Sequence, residues 1–152
     1  KIISSAASLL GDRKSDMDYY EDLARDADRQ AQYTAEAAQR KGEYLFKSAA
    51  ERGQELYDSY RQTLGEQKTT LAASGLTSNS ATVQTLLKNS RFNALLDQEA
   101  LEESFQDALY ENNITAAERI YNLSQTASQY RSAAKNRGSF WKLGNNILNL
   151  FS

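Results

Sequence analysis

The fold is decided at residues 72–80, which read Ala-Ala-Ser-Gly-Leu-Thr-Ser-Asn-Ser. Clusters of Gly, Ser, Thr and Asn between two regular tracts form loops, and no other cluster in the interior of the chain is as long. A glycine just past a helix commonly takes a left-handed backbone conformation, so Gly75 is expected to end a helix. The residues predicted to form the hinge are Ser74, Gly75, Asn79 and Ser80.

The chain on either side of this turn is predicted to be helical. Its 152 residues include no Pro, whereas average usage of about 5 % would give roughly seven or eight. Because Pro inside a helix costs about 3 kcal/mol, its absence favours a few long helices. The tracts 12–73 and 81–136 are rich in good helix formers and show no period-2 alternation.

Small and apolar residues recur along both tracts at steps of three or four residues. From Tyr20 to Leu64, and again from Ser90 to Ala134, 12 steps cover 44 residues, about 3.67 residues per turn. This period favours nearly straight or slightly right-handed pairing, and the many Ala and Gly residues predict a close approach of the helices. The predicted packing positions are Ala27, Ala31, Ala38, Gly42, Ala49, Gly53, Leu101, Phe105 and Leu123.

The predicted fold class is all-α: a long antiparallel two-helix hairpin with short amphipathic terminal helices, in an oligomer. Two helices enclose too little interior for a sizeable core, so neighbouring copies or other proteins are expected. Loop length and periodicity suit both a closed and a splayed hairpin. The predicted segments are an N-terminal apolar segment at 1–11, helices at 12–73 and 81–136, a turn at 74–80, and a C-terminal amphipathic segment at 137–152.

No pattern in the sequence points to catalysis or to metal binding. Cys and His are both absent, which removes thiolate nucleophiles, the Ser-His-Asp triad and the commonest metal ligands. Glu99 and Glu103 share a helix face, but without such partners they are interpreted as a solvated acidic surface. The chain is therefore predicted to be non-enzymatic, with no cofactor. No apolar run reaches about 18 residues, so no transmembrane helix is predicted.

Nine tyrosines make up most of the aromatic content. They are interpreted as amphipathic residues at helix interfaces, with an apolar ring buried and a phenol reaching water. The alternative is a set of stacking platforms for single-stranded nucleic acid. The acidic charge of the two helical tracts disfavours that alternative, because it would repel phosphates.

The C-terminal part of the chain differs from the rest in charge. Residues 1–118 hold 13 basic and 20 acidic side chains, a net charge of −7, whereas residues 119–152 hold 5 basic side chains and no acid, a net of +5. Apolar residues at helical spacing and a Trp follow, which is typical of an interfacial amphipathic helix. This segment is expected to dock on a membrane or on a partner protein through Phe140, Trp141, Leu143, Ile147, Leu148 and Phe151.

Residues 73–83, which read Ala-Ser-Gly-Leu-Thr-Ser-Asn-Ser-Ala-Thr-Val, begin a longer pattern. Leu86-Leu87 follows, then residues 93–97, Asn-Ala-Leu-Leu-Asp, and then Asn112 or Asn113. The pattern resembles the smaller internal virion proteins, or ejection proteins, of short-tailed bacteriophages. The Ala-, Gln- and Arg-rich first tract also fits that family. Ala81 departs from it, since relatives often carry Gly at that place.

The resemblance implies a protein that is stored in the virion and leaves it at infection. Such proteins help form a conduit for DNA across the host envelope, with the host outer membrane as the expected destination. The partners implied are further copies of the chain, arranged as a ring, other internal virion or portal and tail proteins, and envelope lipid. DNA is expected to pass by without specific binding. The alternatives are a structural virion component near the portal with no membrane role, a non-viral coiled-coil scaffold, and a pore-forming toxin.

Overall fold

A computed structural model describes residues 2–77 and 79–150, with side chains described at residues 15–77 and 79–136. Helix α1 spans Ile2–Ala73 and helix α2 spans Ala81–Leu150. No strand occurs among the described residues. The two helices pack against each other, which confirms the all-α prediction. The hairpin is closed, a point that the sequence left open.

Both helices extend past the ends that the sequence predicted. Helix α1 continues through Gly11 to Ile2, and helix α2 continues through Gly138 to Leu150. No separate terminal helix is therefore delimited at either of the expected boundaries. A single Gly in a helix interior costs only about 1 kcal/mol relative to Ala, so good helix formers on both sides can carry a helix through it.

The turn begins with a left-handed glycine. Gly75 has a φ of 73°, and its N–H donates to the Ala72 carbonyl at 3.1 Å, while the Leu76 N–H donates to the Leu71 carbonyl at 3.2 Å. These two bonds satisfy carbonyls at the end of α1 that have no partner within the helix. The chain is thereby turned out of the helix without leaving the last carbonyls unpaired.

Helix α2 starts with a serine cap. The Ser80 hydroxyl accepts a hydrogen bond from the Val83 N–H at 3.3 Å, and the Ser80 carbonyl accepts one from the Gln84 N–H at 3.1 Å. A side-chain oxygen at this position satisfies one of the free N–H groups of the first turn. Val83 is itself buried, so the cap lies next to a point of tertiary packing.

The chain divides into two compact units, each made from one part of α1 and one part of α2. The turn unit is residues 39–113, and the end unit is Lys1–Ala38 with Ile114–Ser152. In the end unit, the core consists of Ala24, Ala27 and Ala127, with Tyr130 packed against it. In the turn unit, Gly42 lies opposite Leu109 and Gly53 lies opposite Leu101. In the turn unit the partner in α2 comes earlier as the residue in α1 comes later, from Gly42 with Leu109 to Gln67 with Ser90, so the helices are antiparallel there.

Candidate functional site

The fully buried positions of the described hairpin hold small side chains, whereas the leucines and aromatic residues that contact the other helix are only partly buried. The buried hydrophobic residues among residues 15–77 and 79–136 are Ala24, Ala27, Val83, Ala127 and Ala134. No Leu, Ile, Phe or Tyr in these ranges is buried. Since hydrophobic stabilisation scales with the apolar area removed from water, each buried alanine contributes little. The larger apolar side chains that contact the other helix, such as Leu101 and Phe105, are only half-buried.

The glycines of the predicted packing stripe do not bring the helices into unusually close contact. A Cβ placed on Gly42 would lie 3.6 Å from Leu109 Cδ1, and one on Gly53 would lie 3.9 Å from Leu101 Cδ2. Both distances are ordinary van der Waals contacts. The close approach expected from the small residues is therefore wrong at these two positions, because leucine side chains occupy the space opposite each glycine.

Two polar contacts join the helices. In the turn unit, Gln67 Nε2 donates to Ser90 Oγ at 2.8 Å, and Ser90 Oγ donates to Gln67 Oε1 at 2.9 Å. In the end unit, the Arg131 guanidinium forms an ion pair with the Asp28 carboxylate. The apolar stripe in the sequence does not predict either pair. The one available signal is Ser90, because a polar residue at a stripe position can indicate a hydrogen bond to the other helix.

Aromatic contacts complete the interface in both units. In the end unit, the Tyr20 and Tyr130 ring centroids lie 6.3 Å apart. In the turn unit, Phe46 and Phe105 meet edge to face with centroids 6.3 Å apart. Aromatic pairs at such distances add stabilisation beyond the area that they bury. Phe46 is nevertheless exposed, so the pair covers only one side of its ring.

A cavity of about 630 Å³ opens between α1 and α2 in the turn unit. Its lining includes Leu56, Tyr60, Ala94, Leu95 and Gln98. Ala94 and Gln98 of α2 line it together with the larger Leu56 and Tyr60 of α1. This arrangement leaves apolar and polar groups side by side, and it shows that the hairpin is incompletely packed in this region.

Large apolar side chains are abundant on the outside of the hairpin. Tyr110 is 68 % exposed, whereas Ala127 in the interface is 0 % exposed. An amphipathic helix of an isolated protein normally directs its large apolar residues inward and its polar residues outward. The exposed large hydrophobic residues are Tyr19, Tyr33, Tyr44, Phe46, Tyr57, Leu76, Leu86, Phe92, Leu95, Leu96, Tyr110, Ile114 and Tyr121.

The tyrosines correct one interpretation of the sequence. Tyr20, Tyr60 and Tyr130 are half-buried, as expected for amphipathic residues at a helix interface. The other six are exposed, so for them the interpretation is wrong within a single chain. Helical periodicity places a residue on a face, but it does not say which face meets the other helix. The exposed tyrosines are Tyr19, Tyr33, Tyr44, Tyr57, Tyr110 and Tyr121.

None of the predicted packing positions is exposed. Ala27 is buried. The others are half-buried, namely Ala31, Ala38, Gly42, Ala49, Gly53, Leu101, Phe105 and Leu123. Of the predicted hinge, Ser74 and Gly75 end α1, Asn79 is exposed in the turn, and Ser80 caps α2. The predicted docking residues lie outside the described side chains, namely Phe140, Trp141, Leu143, Ile147, Leu148 and Phe151.

The described side chains form no recognisable ion site. At residues 15–77 and 79–136, no three or more Asp, Glu, His or Cys residues are grouped so that they could hold a metal ion. Glu99 and Glu103 are both exposed on α2. Within the described part of the chain, neither helix has a stretch long and apolar enough to cross a bilayer.

Comparisons with protein-family models, with curated proteins and with solved structures found no match to this chain. The feature with most bearing on function is the contrast between the few small side chains that are fully buried and the many aromatic and leucine side chains that are exposed. Surfaces of that kind mark protein or membrane interaction sites.

Proposed function

We propose that this protein is a non-enzymatic subunit of a homo-oligomeric helical assembly in the virion of a short-tailed phage. After ejection, the assembly helps form a conduit for genome delivery across the host envelope, at the outer membrane. The proposal has two parts: assembly through the outer surfaces of the hairpin, and action at a membrane. Each part has its own support and its own test.

The observation that carries the proposal is the exposure of large apolar residues on a hairpin whose fully buried hydrophobic residues are four alanines and one valine among the described side chains. In the turn unit, Phe46, Phe92 and Tyr110 are exposed, while Val83 is the buried hydrophobic residue there. Burying an exposed Phe or Tyr against a neighbour contributes more than any contact that the alanines make within the hairpin. Association with further helices is the arrangement that covers these side chains.

The phage setting is supported by the sequence resemblance at residues 73–113. The charge distribution is compatible with a DNA conduit, because the net charge of −7 over residues 1–118 would repel a passing phosphate backbone. Contact with the envelope is assigned to residues 137–152, where a Trp and apolar residues at helical spacing follow basic residues. Anionic lipid would attract the net charge of +5 carried by residues 119–152.

The first test measures assembly and membrane action on the same 152-residue chain. Sedimentation velocity gives the oligomeric state. Fluorescence emission of Trp141, with and without anionic vesicles, reports entry of the C-terminal segment into lipid, and leakage of a trapped dye reports pore formation. We expect an oligomer, a blue shift of the emission, and dye release.

A variant with Phe140, Ile147 and Phe151 replaced by Ser keeps the Trp reporter and serves as the comparison. It is expected to retain helical content by circular dichroism and to lose both the blue shift and the leakage. A monomeric wild-type chain at all accessible concentrations would refute the assembly part. An oligomer without shift or leakage would refute the membrane part, and would leave a structural virion component as the function.

A further inference from the structure

In the turn unit, helix α2 carries an exposed apolar face that points away from α1. Phe92 and Tyr110 lie 18 residues apart, about five full turns, so they point in the same direction. They are 60 % and 68 % exposed, and Leu96 between them is 46 % exposed. Leu101 and Phe105, which contact α1, lie about half a turn around the helix from this face.

Two carboxylates lie at the centre of this face. Glu99 and Glu103 are exposed and four residues apart, so they are neighbours on the helix surface. Like charges at this spacing repel each other, and a cationic partner relieves that repulsion. We call the set Phe92, Leu96, Glu99, Glu103 and Tyr110 the α2 outer face. Its chemistry suits a partner that presents lysines around an aromatic centre.

Helix α1 of the same unit presents such a surface. Tyr44 is 69 % exposed, and it lies about 200° around the helix from Gly42, which faces α2. Lys41 and Lys47 are exposed and flank Tyr44 at three residues on either side. Lys47 also lies 3.9 Å from Glu51 in an exposed pair, which is weak and readily exchanged. We call Lys41, Tyr44 and Lys47 the α1 outer face.

We propose that the α1 outer face of one copy packs on the α2 outer face of the next copy. Lys41 and Lys47 are opposite in charge to Glu99 and Glu103, and exposed Glu51 and Glu55 follow on the same side of α1, so the cationic surface is confined to residues 41–47. Each face also carries exposed aromatic surface, from Tyr44 on α1 and from Phe92 and Tyr110 on α2. They point away from each other within one unit, so they cannot meet inside one chain. A second copy of this chain is therefore the occupant that the surfaces fit, and this inference rests on the proposed homo-oligomeric function.

The contact is head to tail, because different surfaces of the two copies meet. Such contacts build rings when the rotation between copies closes, and open filaments when it does not. The aromatic and leucine side chains supply most of the affinity, while the lysine–glutamate pairs select the orientation and increase the association rate. Raising the salt concentration should weaken the contact only in part, since screening acts on the charges and not on the apolar burial.

Charge reversal tests the pairing. The variants K41E/K47E and E99K/E103K each replace attraction by repulsion, and each is expected to raise the apparent dissociation constant of self-association at least about ten-fold. The variant with all four changes exchanges the charges between the faces and is expected to restore assembly. A mixture of the two double variants is also expected to assemble, because each then offers the complement of the other. Sedimentation velocity measures all four samples, and circular dichroism checks that each remains helical.

The matched control is E102K/E111K, which makes the same change in net charge on α2. Glu102 and Glu111 are exposed but lie about a quarter turn to either side of the α2 outer face. This variant should assemble like the unaltered chain. If E99K/E103K weakens assembly no more than E102K/E111K, or if the four-fold variant stays dissociated, the proposed pairing is overturned. The homo-oligomer itself would stand in either case, whereas a monomeric wild-type chain would refute both proposals.

Discussion

Replacing Gly53 by Ala is expected to raise the free energy of unfolding, although Gly53 lies on the side of α1 that meets α2. In a helix interior, Ala is favoured over Gly by about 1 kcal/mol because the backbone loses less freedom on folding. The added Cβ would lie 3.9 Å from Leu101 Cδ2, an ordinary contact with no steric cost. The same reasoning applies to Gly42, whose Cβ would lie 3.6 Å from Leu109 Cδ1.

The expected gain is about 0.5–1 kcal/mol for each single substitution. For a chain of this size, 1 kcal/mol corresponds to a rise of about 2–4 °C in Tm. Gly65→Ala is the matched control, since nothing lies within 4 Å of its Cβ and only helix propensity changes. Gly42 and Gly53 are separated by about three turns of helix, so the double variant should gain about the sum of the two effects.

Thermal unfolding followed by circular dichroism at 222 nm measures these effects, with all variants at one protein concentration because association shifts Tm. The decisive comparison is between the two interface glycines and Gly65. If Gly65→Ala raises Tm while Gly42→Ala and Gly53→Ala lower it, the helices approach more closely in solution than in this structure. The reasoning from Cβ distances would then be refuted, and the glycines would be required for close packing.

Two further substitutions test the turn and the core. Gly75→Ala should lower the free energy of unfolding by about 1–2 kcal/mol, because the φ of 73° strains any residue with a Cβ, even though no atom lies within 4 Å of the added Cβ. Urea unfolding measures this change, and an unchanged midpoint would mean that the turn adopts another backbone conformation. Ala127→Leu should lower the free energy of unfolding by about 1–3 kcal/mol, because Ala127 is fully buried and a larger side chain overpacks its site. Ala117→Leu, at an exposed site of the same helix, should change the urea midpoint little, and equal effects at both sites would contradict the proposed core.

The helical class and the position of the turn were predictable because they depend on local chemistry. Helix propensity is a property of each residue and its near neighbours, so the many good helix formers and the lack of Pro predict helices directly. The turn is likewise predicted by the composition of residues 72–80 alone. The ends of the helices were not predictable in this way. Gly11 and Gly138 resemble helix ends in the sequence, but the cost of one glycine is small compared with the propensity of a long flanking tract.

The helical periodicity of the sequence predicts only part of the candidate site. The 3.67-residue stripe includes Ala27, which is buried in one cluster with Ala127 of the other helix. It did not place Tyr44 or Tyr110, whose exposure depends on how α1 and α2 are rotated about their own axes. That rotation is set by contacts between residues far apart in the chain, such as the hydrogen bonds between Gln67 and Ser90.

Local propensity and turn chemistry in the sequence thus account for two long helices joined at Gly75. Each of these effects acts between residues that are neighbours in the chain, so they can be recognised without coordinates. Only the tertiary structure decided that the hairpin is closed, that leucines fill the space opposite Gly42 and Gly53, and that Phe92 and Tyr110 face outward. These features depend on the register and rotation of one helix against the other, which a repeating stripe of small residues permits in several ways.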